Sequence, residues 1–390
     1  MCSVSVTGDI EDLSNSVPIS KLKIKRLPDK CNKCKEHKPH ILLRNKDAYC
    51  KDCFLASTNH KFRAILGKHR LIKDNDRVLI HYTGGHSSTS LLNFLKTGLE
   101  LDTPKKVRYV PICLFVENQF NLPRDERKTK LNDIAEEVKK FNIPLFYSSL
   151  IDFYESEGEN VCIYETLEDF PSKIYDTKKE SFFKTSQTLS NDLEKIYGRK
   201  LLISAAKKLN CKFIFTPELS TDIASQILSD VALGRGSHIP SSTGVCDTRD
   251  SEVTIIRPLR VFDIKELALY NYFHSLDPII LNVKPAQNSI QTLIENFVEE
   301  LQSNYPATVT TILKTGEKLS MVNNKKKTAE ICYICQSPID VPFQTLTSSK
   351  AIKFSCDISQ PKKQNSVQRE EDESNKKTCF SCSKIEEFLL

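Results

Sequence analysis

Apolar runs of strand length alternate with longer amphipathic stretches through the middle of the chain. The strand candidates are residues 78–82, 109–116, 144–148 and 213–216. Apolar residues recur at helical spacing between them, most clearly in two sets: Leu131, Ile134, Ala135, Val138 and Phe141, and Leu202, Ala205, Ala206 and Leu209. Strands that alternate with helices are typical of a parallel sheet with crossover helices. The pattern therefore predicts an α/β core with flanking helices.

Helical signals continue beyond the last strand candidate. Asp263, followed three residues later by Glu266, predicts the start of a helix that runs through Tyr272. A further helix is predicted by one apolar face, which we interpret as core: Ile290, Leu293, Ile294, Phe297, Val298 and Leu301. The acidic and polar stretch at residues 155–179 interrupts the alternation and predicts a surface insertion.

A pair of glycines follows the first strand candidate, where residues 82–89 read YTGGHSST. The chain has only 11 glycines in 390 residues, yet two of them are adjacent here. A strand, a glycine turn and a helix in this order point backbone N–H groups at a phosphate. The residues predicted to form such a cradle are Thr83, Gly84, Gly85, Ser87 and Ser88. The alternative is a turn that uses glycine for its backbone alone.

Composition indicates a soluble, intracellular protein. Apolar residues make up 39% of the chain, which is enough for a sizeable core. No apolar run approaches the roughly 18 residues that a membrane span needs, and residues 1–20 lack the apolar segment of a signal peptide. The net charge of +6 is compatible with a polyanionic partner such as RNA but does not require one.

Eight of the 14 cysteines form four C-x-x-C pairs. Cys31, Cys34, Cys50 and Cys53 follow the spacing C-x₂-C-x₁₅-C-x₂-C, which predicts a structural zinc site with four thiolates. A redox pair would require a single C-x-x-C in a thioredoxin-like unit, and that context is absent. We interpret the intervening His37 and His40 as facing solvent or, at most, contacting RNA.

The other two pairs lie near the C-terminus. Cys332, Cys335, Cys379 and Cys382 predict a second structural zinc site across a long polar gap. Cys356 lies in the gap and is a competing ligand. Four thiolates also suit an iron–sulfur cluster, so that alternative stays open at each site.

These signals predict four parts: a disordered arm at residues 1–22, an N-terminal zinc module with a basic helix at 23–72, the α/β domain at 73–282, and a C-terminal helical and zinc module at 283–390 with a disordered insertion at about 357–377. The basic run at residues 21–26 is an RNA contact, a segment resembling a nuclear signal, or a solvated linker. The basic helix supplies four candidates for RNA binding: Lys61, Arg63, Lys68 and Arg70.

The glycine loop resembles the PP-loop of ATP pyrophosphatases, whose pattern is Ser-Gly-Gly-x-Asp-Ser. Thr83 stands in place of the first serine, His86 in place of the usual lysine, and Ser87 in place of the aspartate. A second motif of that family, Thr-Gly-His-Asn-x-Asp-Asp, corresponds to residues 216–222, which read TPELSTD. Only Thr216 and Asp222 are retained there.

The order of the parts resembles the tRNA 2-thiolation family of PP-loop enzymes. The segments Gly234-Arg235-Gly236 and Arg257-Pro258-Leu259-Arg260 look like later segments of that family, and we add Arg235 to the candidates for RNA binding. Active members carry a cysteine for sulfur handling, which is absent from residues 188–199. Of the cysteines nearby in sequence, we interpret Cys211 as buried and Cys246 as a loop residue worth testing.

These departures identify the chain as a member of the cytoplasmic tRNA 2-thiolation protein 2 family, the non-catalytic paralogues. The resemblance implies a PP-loop-like fold, no catalytic residue, and a heterodimer with the catalytic PP-loop thiolase in the cytoplasm. It also implies support for 2-thiolation of the wobble uridine in cytosolic tRNAs for Lys, Glu and Gln. Sulfur would come from a thiocarboxylated ubiquitin-related modifier, and ATP binding stays an open question.

Two other functions are compatible with the sequence. The chain is itself an adenylating enzyme if Asp222 or Asp76 replaces the missing carboxylate. Alternatively, it is a zinc-based protein-interaction module, although a RING needs interleaved ligands in one compact stretch, and here four lie at each end.

Overall fold

The computed structural model describes residues 28–44, 47–69, 72–102, 106, 108–119, 122–171, 186–279, 288–322, 330–339, 352, 355 and 377–389. The predicted N-terminal arm, the basic run at 21–26, Arg70, Cys356 and residues 357–376 of the predicted insertion lie outside them, as does the side chain of Lys68. The chain forms two compact units, one up to Ala56 and one from Ser57. Among the described residues, no helix is both long and apolar enough to span a membrane.

The first unit is built on a short antiparallel hairpin. Strands β1 (Ile41–Leu43) and β2 (Asp47–Tyr49) pair with Ile41 opposite Tyr49. Helix α1 (Lys51–His69) begins directly after it. The alternation of inward apolar and outward polar residues in the hairpin buries Ile41, Leu43 and Ala48 next to two of the cysteines. A core this small needs a further tie, which the cysteines of this unit can provide.

The second unit contains a six-stranded sheet with the order β5-β4-β3-β6-β8-β7. Its strands are β3 (Arg77–Tyr82), β4 (Val110–Glu117), β5 (Leu145–Ser149), β6 (Phe213–Phe215), β7 (Cys246–Asp247) and β8 (Thr254–Ile256). All pairings are parallel except that of β7 with β8. The central strands are buried on both faces, which explains their nearly continuous apolar sequences. The predicted α/β core with a parallel sheet is confirmed.

Helices separate and follow these strands along the chain, and the two helices predicted from apolar spacing at 131–141 and 202–209 are among them. The helices are α2 (His86–Glu100), α3 (Arg124–Lys139), α4 (Leu150–Glu155), α5 (Gln187–Lys208), α6 (Ser220–Ala232), α7 (Ile239–Thr243), α8 (Ile264–Phe273), α9 (Ile290–Asn304), α10 (Pro306–Val322) and α11 (Phe380–Leu389). The predicted cap of α8 is confirmed, since the Asp263 carboxylate accepts the Glu266 N–H at 2.8 Å. Strands β7 and β8, of two and three residues, were not predicted.

Two expectations about apolar and polar stretches need correction. The described part of the 155–179 stretch is not a mere surface insertion, because Tyr164 pairs with Tyr147 at the sheet edge and Phe170 is buried. The apolar face of α9 is only partly core. Val298 is fully buried, but Leu293 is 71% exposed and Phe297 is 52% exposed. Their spacing fits one helix face, and that spacing alone does not tell whether a neighbour covers it.

Candidate functional site

The glycine loop lies at the carboxyl end of β3 and leads directly into α2. Gly84 has a φ of +83°, a conformation that requires glycine. Gly85 caps the helix with an ordinary φ of −74°, and a Cβ placed on it would meet no atom within 4 Å. The backbone thus keeps the strand-turn-helix form of a phosphate cradle, but only Gly84 is required by conformation.

The hydroxyl groups of the loop are used within it. Thr83 Oγ1 donates to Ser88 Oγ at 3.2 Å, and Ser88 Oγ in turn donates to the Gly85 carbonyl at 3.1 Å. Thr89 Oγ1 donates to the Gly84 carbonyl at 3.4 Å. These contacts hold the turn together from inside. Ser87 lines the adjoining cleft.

The loop lacks charge at the two positions where the family carries it. Burial lowers the pKa of His86, and its ring nitrogen Nδ1 lies 3.4 Å from the Asn271 amide, so the imidazole is neutral at pH 7. The first turn of α2 contains no acidic residue. Helix N–H groups alone can hold a phosphate, but a triphosphate with magnesium needs more charge than they supply.

The second motif, residues 216–222, follows β6, and its polar side chains form hydrogen bonds within the motif. The Thr216 hydroxyl donates to Glu218 Oε2 at 2.5 Å, and Arg257 Nε lies 2.9 Å from the same oxygen. Asp222 Oδ2 accepts the Leu219 N–H at 2.8 Å and thereby caps α6. Both retained residues of the motif therefore have structural partners.

Both motifs line one cleft of about 810 Å³. Glu218, Asp222 and Glu295 line this cleft. Partial desolvation of the Asp222 carboxyl, together with the charges of Glu218 and Glu295, raises its pKa to about 6. These three carboxylates repel a triphosphate, whereas Lys195, Arg199 and Arg257 bring positive charge to the same cleft.

Asp76 does not replace the missing carboxylate. It directly precedes β3, whereas the glycine loop follows the other end of that strand. Six residues of strand separate the two ends by about 20 Å. Asp76 Oδ2 instead accepts the Lys73 N–H at 2.7 Å. The prediction that Asp76 could serve catalysis is therefore wrong.

The N-terminal cysteine cluster consists of Cys31, Cys34, Cys50 and Cys53, whose sulfur atoms all lie within 4.8 Å of one another. Cys34 Sγ and Cys50 Sγ are 4.0 Å apart. Four thiolates at about 2.3 Å from one ion are separated by about 3.8 Å, so the set fits a single tetrahedral ion. Hydrogen bonds from the backbone N–H groups of His37 and Glu36 lower the pKa of Cys34 to about 6. Such donors favour the thiolate form that binds metal.

The C-terminal cysteine cluster consists of Cys332, Cys335, Cys379 and Cys382, all buried and likewise within 4.8 Å of one another. Cys335 Sγ and Cys379 Sγ are 3.9 Å apart, which again fits one tetrahedral ion. The cluster packs against Leu193 on α5. Among the described residues, these two clusters are separate, and each takes its ligands from one end of the chain.

Two arginines connect the segment of the C-terminal cysteine cluster to the sheet, and no sequence motif predicted them. Arg199 and Arg249 both pair with Asp247 in β7, at 2.9 and 2.6 Å. Arg199 also donates to Gln336 at 2.7 Å, and Arg249 donates to Ser337 at 2.9 Å. Burial alone would raise the pKa of Asp247, but the two guanidinium groups hold it well below its usual range.

The residues predicted to contact RNA differ in how exposed their side chains are. Arg235 is buried, pairs with Asp192 at 2.9 Å and donates to Ser381 at 2.8 Å, which argues against an RNA contact. Lys61 pairs with Glu266 at 2.7 Å and lies 4.1 Å from the centre of the Phe262 ring. Arg63 is half-buried on the same helix. RNA binding by Lys61 and Arg63 stays a prediction.

Neither Cys211 nor Cys246 has the activated thiol that sulfur handling needs. Cys211 is buried as predicted, and burial raises its pKa to about 11. Cys246 lies in β7 and not on a loop, and burial raises its pKa too. A raised pKa leaves little thiolate at neutral pH, so neither thiol is activated.

Comparison with known proteins places the chain in a family. Residues 289–384 match the family model described as cytoplasmic tRNA 2-thiolation protein 2. A relative from Xenopus laevis, named cytoplasmic tRNA 2-thiolation protein 2-A, is 31% identical over 88% of this chain and 80% of its own length. The chain belongs to the cytoplasmic tRNA 2-thiolation protein 2 family. The Homo sapiens relative of that name is 27% identical over 85% of this chain and 76% of its own.

A solved structure supports the fold assignment. The U34-tRNA thiolase NcsA from Methanococcus maripaludis, determined with its 4Fe–4S cluster, matches with a TM-score of 0.59 and 18% identity. The match covers 80% of this chain and 96% of that chain. This likeness confirms the predicted PP-loop-like fold.

Proposed function

We propose that this chain is the non-catalytic subunit of a cytoplasmic tRNA 2-thiolation complex, paired with a catalytic PP-loop thiolase. The names of the family members support the pathway and the cytoplasmic location. The observation that carries the non-catalytic role lies in the second motif. There the Thr216 hydroxyl donates to the Glu218 carboxylate, which also forms an ion pair with Arg257, so neither group is directed at a ligand.

The charges explain why adenylation by this chain is disfavoured. Attack on an α-phosphate develops negative charge that a metal ion and cations normally stabilise by several kcal/mol. Here His86 is neutral, and Asp222 accepts a helix N–H in a wall shared with Glu218 and Glu295. A glycine loop without a metal ion and cations beside it keeps the backbone form found in the enzymes but loses most of the stabilisation of the transition state for adenylation.

The substrate and the sulfur source are proposed from the family resemblance. The complex would thiolate the wobble uridine of cytosolic tRNAs for Lys, Glu and Gln, with sulfur from a thiocarboxylated ubiquitin-related modifier that visits the catalytic partner. The net charge of +6 and the position of Arg63 support a contribution of this chain to tRNA binding.

Both cysteine clusters are proposed to hold zinc. Sulfur atoms within 4.8 Å of one another leave room for one ion, whereas an iron–sulfur cube would hold its four cysteines further apart. A bound zinc ion would be coordinated by four thiolates and would thereby link two segments of the chain. The buried C-terminal set, clamped by Arg199 and Arg249, has the character of such a structural site.

Reconstitution tests the proposal. The purified chain, given ATP, magnesium, tRNA and the thiocarboxylated modifier as sulfur donor, is expected to release no pyrophosphate alone. Under the same conditions the mixture with the PP-loop thiolase thiolates tRNA and binds it better than either protein alone. Pyrophosphate release by this chain at a rate comparable to the mixture would overturn the non-catalytic role. Equal thiolation with and without the chain would overturn the pairing.

A further inference from the structure

Helix α9 carries an apolar stripe that the described part of the chain leaves uncovered. Ile290, Leu293 and Phe297 recur at intervals of three and four residues, so they lie along one face. They are 40%, 71% and 52% exposed. Contiguous exposed apolar residues of this kind mark interaction sites more often than isolated ones do.

The helix does not need the stripe for its own packing. Its opposite side buries Val298 completely, in a cluster with Ala224 of α6 and Val309 of α10. Ser289 caps the helix by accepting the Thr292 N–H at 3.0 Å. The stripe therefore faces outward from a helix that is already anchored on its other side.

Charge restricts what can bind there. Helix α9 contains Glu295, Glu299 and Glu300 and no lysine or arginine. Glu300 follows Phe297 by three residues and so borders the stripe. Its carboxylate would repel RNA phosphates at the stripe. A second copy docked symmetrically would place the same acidic helix against itself, which is also unfavourable.

We propose that the α9 stripe is the docking surface for the catalytic PP-loop thiolase, which would present an apolar groove bordered by lysine or arginine. This inference rests on the proposed function, because it names the surface that the proposed partner uses. The position of α9 within residues 289–384, the segment matched by the family model, supports a role particular to this family.

The test is the affinity of the purified chain for the thiolase, measured by sedimentation and native mass spectrometry. The double variant Leu293→Asp/Phe297→Asp is expected to weaken the complex at least about tenfold, because apolar anchors dominate interface energy. Glu300→Lys is expected to weaken it at low salt and less so at high salt. Tyr272→Asp is the control, since Tyr272 is 75% exposed on α8, away from the stripe, and should leave the affinity within about twofold.

Each outcome decides the matter. Unchanged melting of the double variant shows that it folds, since both side chains are exposed. Wild-type affinity in a folded double variant overturns the inference while the proposed function stands. A homodimer lost in the double variant, or tRNA binding lost with the heterodimer intact, overturns it in favour of another occupant. Failure of the wild-type proteins to associate overturns the proposed function and this inference together.

Discussion

Thr216 and Glu218 close the second half of the cleft, with the Thr216 hydroxyl donating to Glu218 Oε2 at 2.5 Å. Arg257 approaches the same oxygen from the neighbouring segment at 2.9 Å. The Thr216 hydroxyl, which could have served a phosphate, is thus bound by an internal carboxylate, and Arg257 lies within ion-pair distance of that carboxylate. The cleft is preserved in shape, while its polar groups stabilise the fold.

The two glycines of the loop are expected to respond differently to substitution. Gly84→Ala should destabilise the protein by about 1 kcal/mol, because a Cβ is strained at its φ of +83°. Gly85→Ala is the matched control, since its φ is ordinary and its Cβ would meet open space. Denaturant unfolding measures both. Equal losses for the two variants would contradict the loop geometry.

The Asp247 carboxylate is expected to be a major contributor to stability. Asp247→Asn leaves the guanidinium groups of Arg199 and Arg249 without their counter-charge in a buried site, which should cost about 3 kcal/mol. Asp74→Asn is the control, because Asp74 and Arg108 form an exposed pair, and its effect should stay below about 1 kcal/mol.

The pH dependence of that loss follows from the lowered pKa of Asp247. A folded-state pKa below the unfolded value of about 3.9 gives stability that is fully present above that value and is lost as the pH falls through the folded pKa. The difference between wild type and Asp247→Asn should therefore be the same at about pH 6 and about pH 8. A difference that changes across this range would show that another group titrates with it.

Metal content should fall one site at a time. Cys31→Ser is expected to remove the ion of the N-terminal cysteine cluster and Cys382→Ser that of the C-terminal cysteine cluster, each lowering zinc from about two ions per chain to about one. Elemental analysis of the purified variants measures this. Cys162→Ser, at an exposed cysteine outside both clusters, is the control. Iron with acid-labile sulfide in place of zinc would contradict the single-ion geometry.

Arg63 and Arg235 should separate RNA binding from folding. Arg63→Ala is expected to weaken tRNA binding by the complex and to reduce its salt dependence by about one ion, with unchanged melting. Arg235→Ala should instead lower the melting temperature, because it leaves Asp192 buried without its partner. Filter binding at several salt concentrations and thermal unfolding distinguish the two. Weaker tRNA binding with unchanged melting in Arg235→Ala would instead indicate that Arg235 contacts RNA.

Regular sequence patterns made the fold predictable, whereas contacts between residues far apart in the sequence could not be predicted. Strand and helix periodicity and the cysteine spacing indicated the sheet and both cysteine clusters. The pairing of Asp247 with Arg199 has no local signature, and Gln336 and Ser337 meet Arg199 and Arg249 only after folding. Burial of Arg235 and exposure of Phe297 likewise depend on neighbours that a linear sequence does not reveal.

The central claim is that the chain is required for thiolation although its loop does no chemistry. Gly85→Trp tests it most directly, because open space at Gly85 lets a large side chain fill the cradle without unfolding the turn. The measurement is the 2-thiouridine content of tRNA, by mass spectrometry, in cells that lack the protein and express either wild type or this variant. We expect thiolation to vanish without the protein and to return fully with both versions. Loss of thiolation with a folded Gly85→Trp variant would contradict the claim and show that the loop binds a nucleotide.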